Sequence, residues 1–167
     1  MSMDEYLTRL PFDFPGQIYR SPMPFGPFDP QQAVLGLYRQ AGVDVVVMLV
    51  SDEEAREKSG RQLRKLYTGL GMQVIYLPIP DFDVPQAEIL LPGLEQVKAA
   101  ALAGRNVAVH CNAGIGRTGL FMASLARQVF RLPGDQAIAW VQQYIPHAVE
   151  SEQQYSFVQD LALVTAD

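Results

Sequence analysis

The chain has 167 residues, 49% of them hydrophobic, with 13 Lys and Arg against 18 Asp and Glu, two His and one Cys, for a net charge of −5. That length and apolar share suit one unit over residues 1–167 with one substantial core, onto which a Pro-rich segment, residues 1–30, packs. The acidic balance argues against nucleic-acid or membrane-surface partners, no apolar run reaches the ~18 residues of a spanning helix, and a lone cysteine excludes an internal disulfide, which fits a reducing cytoplasm.

In chain order, residues 1–30 read as irregular apart from a short strand near Gln17–Arg20. The acidic start, Met1-Ser2-Met3-Asp4-Glu5, lacks the basic opening and apolar middle of a signal peptide. A helix is expected over 30–41, then a continuous apolar strand from Val43 to Val50 of the kind that is covered on both faces. A charged helix over 53–70 and a strand over 73–77 follow, and then a loop stiffened by three prolines, Leu77-Pro78-Ile79-Pro80-Asp81-Phe82-Asp83-Val84-Pro85. Leu90, Leu94, Val97 and Leu102 recur at helical spacing over 86–103, with Pro92 either kinking that helix or starting it. A strand over 106–110 precedes helices over 118–130, 134–144 and 151–164, on which Trp140, Tyr144 and Phe157 read as core. The order describes an α/β fold: a mixed, mainly parallel sheet of four or five strands flanked by helices on both faces.

The chemistry concentrates in His110-Cys111-Asn112-Ala113-Gly114-Ile115-Gly116-Arg117-Thr118-Gly119. A strand-like run leads in and a helix-like run leads out, so the segment is a tight loop ending at a helix N-terminus. Converging backbone N–H groups and the helix dipole make an anion cradle there, and a thiol in such a place is expected as the thiolate. Arg117 supplies a planar fork for two phosphate oxygens. A nucleophile under a bound phosphate is the apparatus of covalent phosphoryl transfer. The glycines also spell G-x-G-x-x-G, but the following segment reads as helix rather than as the second strand and acidic residue a dinucleotide site needs, and only 48 residues follow Gly119. No Lys precedes Thr118, so a Walker loop is excluded as well. A buried structural cysteine would leave Arg117, Thr118 and the glycines unexplained.

The pattern H-C-x5-R-T resembles the signature loop of the cysteine-dependent protein tyrosine and dual-specificity phosphatases. That resemblance implies that Cys111 attacks phosphorus, Arg117 binds the phosphoryl oxygens and Thr118 helps the thiolate leave. The amides of Asn112, Ala113, Gly114, Ile115, Gly116 and Arg117 become the substrate cradle, and His110 a buried orienting residue. The Pro-rich loop resembles the acid loop of the small dual-specificity and kinase-associated groups. Aligning Pro-x-x-Asp puts the general acid at Asp81, with Asp83 the alternative that spacing leaves open. Ile18-Tyr19-Arg20-Ser21-Pro22-Met23-Pro24 resembles the opening strand and turn of the same groups, and Val149 to Tyr155 the segment before their last helix, in which a glutamine, here Gln154, supports the loop or positions water. A polar helix-start residue is the other reading of Gln154.

Two departures stand out: the loop has Asn112, Ala113 and Ile115 where phosphoinositide phosphatases of the superfamily carry basic residues, and no phosphotyrosine-recognition loop is evident. The expected reaction is hydrolysis of phosphate monoesters through a phosphocysteine. The substrate is a phosphorylated protein (phosphotyrosine, with phosphoserine and phosphothreonine open) or, alternatively, a non-protein ester such as an inositol phosphate. A catalytically weak domain that binds phosphorylated partners is the third reading. His110 and His147 lack partners at metal-ligand spacing, so neither metal nor cofactor is expected, and a monomer is favoured.

Overall fold

A computed structural model describes residues 3–165. The strands are β1 (Thr8–Leu10), β2 (Ile18–Ser21), β3 (Val43–Met48), β4 (Gln73–Tyr76) and β5 (Asn106–His110). The helices are α1 (Met3–Tyr6), α2 (Val34–Gln40), α3 (Asp52–Ser59), α4 (Leu63–Gly69), α5 (Ala87–Leu102), α6 (Gly116–Phe130), α7 (Gly134–Gln142) and α8 (Glu152–Asp160). The five strands form one sheet in the order β1-β2-β5-β3-β4. β2, β5, β3 and β4 run parallel, and β1 closes the edge antiparallel to β2.

That order places β5 at the centre. The chain leaves β2, passes over the place β5 will take to lay down β3, and returns through α5 to fill the gap. A strand paired on both sides and covered on both faces must be apolar throughout, and Val107, Ala108 and Val109 are fully buried, as are Val45, Val46 and Val47 beside them. In α6, twelve of fifteen residues are buried, including Leu120, Phe121, Met122 and Leu125. The loop between β5 and α6 is thus clamped between the central strand and the most buried helix. It opens at the carboxyl end of the sheet, where parallel folds place ligands.

Several boundaries differ from the sequence-based expectation. The charged helix over 53–70 is two helices, because Gly60 (φ +70) takes the left-handed conformation that caps α3 and turns the chain into α4. The irregular stretch before residue 17 contains β1, a strand of three residues too short to carry an alternating pattern. Pro92 neither starts α5 nor ends it; it lies inside. The last helix stops at Asp160 rather than 164, and α7 stops at Gln142, leaving Tyr144 in the following turn. Trp140 packs against Phe12, Phe130 and Tyr144 with ring centroids 4.9–5.1 Å apart, so this aromatic group joins the N-terminal segment to α6 and α7.

Candidate active site

Cys111 follows directly on β5 and is 3% exposed. Four successive carbonyls after His110 are tied away from the loop's interior. The Cys111 carbonyl is bonded to His110 Nδ1 (2.9 Å), and that of Asn112 accepts the N–H of Met23 (2.9 Å). The Ala113 and Gly114 carbonyls accept from Nη2 and Nε of Arg20 (2.9 and 3.1 Å). Because each peptide unit is planar, with C=O and N–H opposed, fixing these carbonyls outward aims the N–H groups of residues 112–115 inward. The Gly114 N–H accordingly donates to Cys111 Sγ at 3.2 Å. Gly114 has φ +78, and a Cβ there would collide with the Ser21 carbonyl and the Arg20 guanidinium, so only glycine fits.

Arg117, in the first turn of α6, is 1% exposed and held on three sides. Its Nη1 and Nη2 donate to Glu54 Oε1 and Oε2, both at 2.9 Å, and Nη1 also reaches the Ile79 carbonyl at 2.8 Å. Asp81 Oδ1 lies 3.4 Å from Nη2. Two buried donors next to the loop have no hydrogen-bond partner among the described residues: Arg117 Nε and Thr118 Oγ1. An anion on the loop and a sulfur beneath it are what such donors could satisfy.

The Pro-rich loop presents its two carboxylates differently. Asp81 turns to Arg117 and accepts the Phe82 N–H (3.1 Å), with Phe82 itself at φ +60 and its ring exposed. Asp83 accepts the Val84 N–H (2.8 Å) and lines a shallow cleft with Glu152, Gln153, Ser156 and Phe157 on α8. Gln154 is fully buried. Its Oε1 accepts the Glu150 N–H (2.8 Å), its own N–H is capped by Ser151 Oγ (3.1 Å), and Nε2 has no partner. Glu150 is the acidic group pressed against the loop, its carboxylate filling the space a Cβ on Gly116 would need.

The comparisons with known proteins decide the family. A family model described as a polymorphic toxin system DSP-PTPase phosphatase matches residues 26–129, well over half the chain. The chain belongs to this family. Mouse dual specificity protein phosphatase CDC14B is 33% identical over 97 residues, 56% of this chain and 19% of that protein. The chain spans no more than 19% of the first curated relatives it matches. Among solved structures, the kinase associated phosphatase superposes with a TM-score of 0.84 at 17% identity, covering 96% of this chain and 95% of that one. Tk-PTP in its active form gives 0.73 at 27% identity, covering 92% and 95%.

In this DSP/PTP-type phosphatase, His110 is fully buried, and burial together with the nearby Arg117 charge lowers its pKa to about 4. The neutral ring must carry its proton on Nδ1, since the Cys111 carbonyl can only accept. Nε2 is then bare and accepts from the Tyr67 hydroxyl at 2.8 Å. Burial opposes the charge on Glu54, but the hydrogen bonds and charge of Arg117, helped by Lys58, outweigh it and hold the carboxyl below its ordinary range.

Three residues around the phosphatase loop were not legible as site residues. Glu54 sits in Ser51-Asp52-Glu53-Glu54, where acids in a first helical turn already have a local reason, and Ser51 Oγ does cap the Glu54 N–H at 3.0 Å. Arg20 and Tyr67 lie 94 and 43 positions from their partners in and beside the loop. The Arg20 signal was present only as part of the Tyr19-Arg20-Ser21 stretch that resembles an opening strand.

Proposed function

We propose that this phosphatase hydrolyses phosphoprotein substrates, phosphotyrosine first among them and phosphoserine and phosphothreonine alongside, through a phosphocysteine. The observation that carries the reading is the loop whose Gly114 N–H donates to Cys111 Sγ while Arg117, braced by Glu54, keeps Nε unpaired. In the first step the Cys111 thiolate attacks phosphorus, the bond to the leaving oxygen breaks, and Asp81 delivers a proton to that oxygen. In the second, water attacks, Asp81 takes its proton, the P–S bond breaks, and the Thr118 hydroxyl donates to the departing thiolate. Asp81 is preferred to Asp83 in this role because its carboxylate lies beside Arg117. Gln154 supports the segment carrying Glu150 rather than meeting substrate, in keeping with its burial. The uncharged side chains at Asn112, Ala113 and Ile115 speak for a protein substrate over a polyphosphorylated inositol. The reading includes a monomer working in a reducing, cytoplasmic setting, which suits an unprotected catalytic thiol.

The test is orthophosphate release from a phosphotyrosine peptide, a phosphothreonine peptide and soluble inositol phosphates, with Cys111→Ser run throughout. Peptide turnover that vanishes in the variant is expected. Turnover of inositol phosphates alone would move the substrate class, and inactivity of the folded, reduced protein on every substrate would refute catalysis.

A further inference from the structure

Catalysis uses the side of α3 that carries Glu54 and leaves another surface of that helix unexplained. Five of the 13 Lys and Arg residues, Arg56, Lys58, Arg61, Arg64 and Lys65, fall within ten positions of an otherwise acidic chain. Between α3, α4 and the edge strand β4 lies a cleft of about 440 Å³ whose lining includes Asp52, Arg56, Gln62, Arg64, Lys65 and Tyr76.

Part of that lining is locked. The Arg64 guanidinium lies 4.0 Å over the Tyr76 ring and is clamped by both carboxylate oxygens of Asp52, whose N–H donates to the Tyr76 hydroxyl at 2.9 Å. Arg64 and Asp52 therefore cancel each other. Arg56 and Lys65 are exposed and form no ion pair among the described residues, while Glu53 and Glu57 lie outside the lining. The cleft thus holds two positive charges with no ion-pair partner among the described residues.

Its position relates it to the catalytic loop. Tyr76 pairs with Met48, and Met48 pairs with His110, so the three stand level at the carboxyl end of the sheet. Two strand spacings separate Tyr76 from the residue before Cys111, about 10 Å. Arg61 lies outside the cleft lining, with its guanidinium 4.6 Å over Phe25, in the segment whose Met23 N–H is bonded to Asn112. An extended peptide advances about 3.3 Å per residue, so a phosphorylated residue in the cradle brings its third to fifth neighbour over the cleft.

We propose that this cleft is a second anion subsite, docking carboxylate side chains of the phosphoprotein substrate three to five residues from the phosphorylated one. The subsite rests on the protein phosphatase reading above. It makes Arg56 and Lys65 specificity residues that touch neither the phosphate nor Cys111.

Three phosphotyrosine peptides test it, alike except that the third to fifth neighbours are Glu on the N-terminal side, Glu on the C-terminal side, or Gln on both. Each is assayed at low and high salt with the wild-type protein and with Arg56→Glu/Lys65→Glu, and para-nitrophenyl phosphate serves as an ester too small to reach the cleft. One Glu peptide is expected to exceed the Gln peptide in kcat/KM by about tenfold at low salt, a preference that shrinks at high salt. The double variant should lose the preference while turning over the small ester unchanged. A wild-type protein that cleaves the small ester but treats the peptides alike overturns the subsite alone. A preference that survives in the double variant overturns its assignment to these residues. A protein inert on the small ester overturns the reading on which the subsite rests.

Discussion

Glu54→Gln is the most informative single perturbation, because it changes one oxygen of a side chain that touches the loop only through Arg117. The amide keeps one acceptor for one Nη but turns its NH2 toward the other, so one of the two 2.9 Å bonds becomes donor against donor, and the charge is lost. A hydrogen bond to a charged group contributes about 1.5–3 kcal/mol. Glu54 is 17% exposed, and Arg117 keeps the Ile79 carbonyl, so the lower part of that range applies and stability should fall by about 2 kcal/mol. If the same loss is felt in the transition state, kcat/KM falls by roughly 30-fold, at about 1.4 kcal/mol per tenfold. The assay pairs denaturant midpoints with kcat/KM on para-nitrophenyl phosphate and with inhibition by inorganic phosphate. Weaker phosphate inhibition alongside the lost rate is expected. Tighter phosphate inhibition in the variant would refute the reasoning, since Glu54 would then compete with the anion for Arg117 rather than present the guanidinium to it.

Asp81→Asn should slow turnover by about 10²–10⁴-fold for esters with poor leaving groups and far less for para-nitrophenyl phosphate, whereas Asp83→Asn should stay near the wild type; the reverse order would transfer the acid to Asp83. Gly114→Ala should destabilise the fold by about 2 kcal/mol or more and abolish phosphate binding, because the methyl meets the Ser21 backbone at a φ of +78. An unchanged phosphate inhibition constant in that variant would contradict the cradle geometry. His110 stays neutral in the folded chain down to about pH 4, while in the unfolded chain it takes up a proton near its ordinary value. Stability should therefore decline as pH falls from about 6.5 to about 4 and then level, by about 3 kcal/mol in all. Urea midpoints across that range should lose this component in His110→Gln, and equal slopes in the two proteins would refute a buried neutral ring.

What could be read from the chain was whatever its near neighbours enforce. Residues 106–130 declare strand, loop and helix because a strand-like apolar run, three glycines and a helix-like run from Leu120 follow one another directly. Val43 to Met48 declare a covered strand because nothing polar but Asp44 interrupts them. Local chemistry was silent or misleading where a residue's partner lies far along the chain. Three acids at the start of α3 look like a favourable helix terminus whichever of them meets Arg117, and only the packing of α3 against the loop, 63 positions away, selects Glu54. Gly60 divides a charged stretch that is helical in composition on both sides, and β1 is too short to show a period. Asp81 and Asp83 share a proline-stiffened turn; the Pro-x-x-Asp resemblance points to Asp81, but spacing alone leaves Asp83 open. They part company in space because the loop backbone at Phe82 takes φ +60, leaving Asp81 toward Arg117 and Asp83 toward α8. The cationic cleft shows the same division. Its charges could be counted from the sequence, but which of them Asp52 neutralises, and how near they stand to Cys111, follows only from the pairing of β4 with β3 and of β3 with β5.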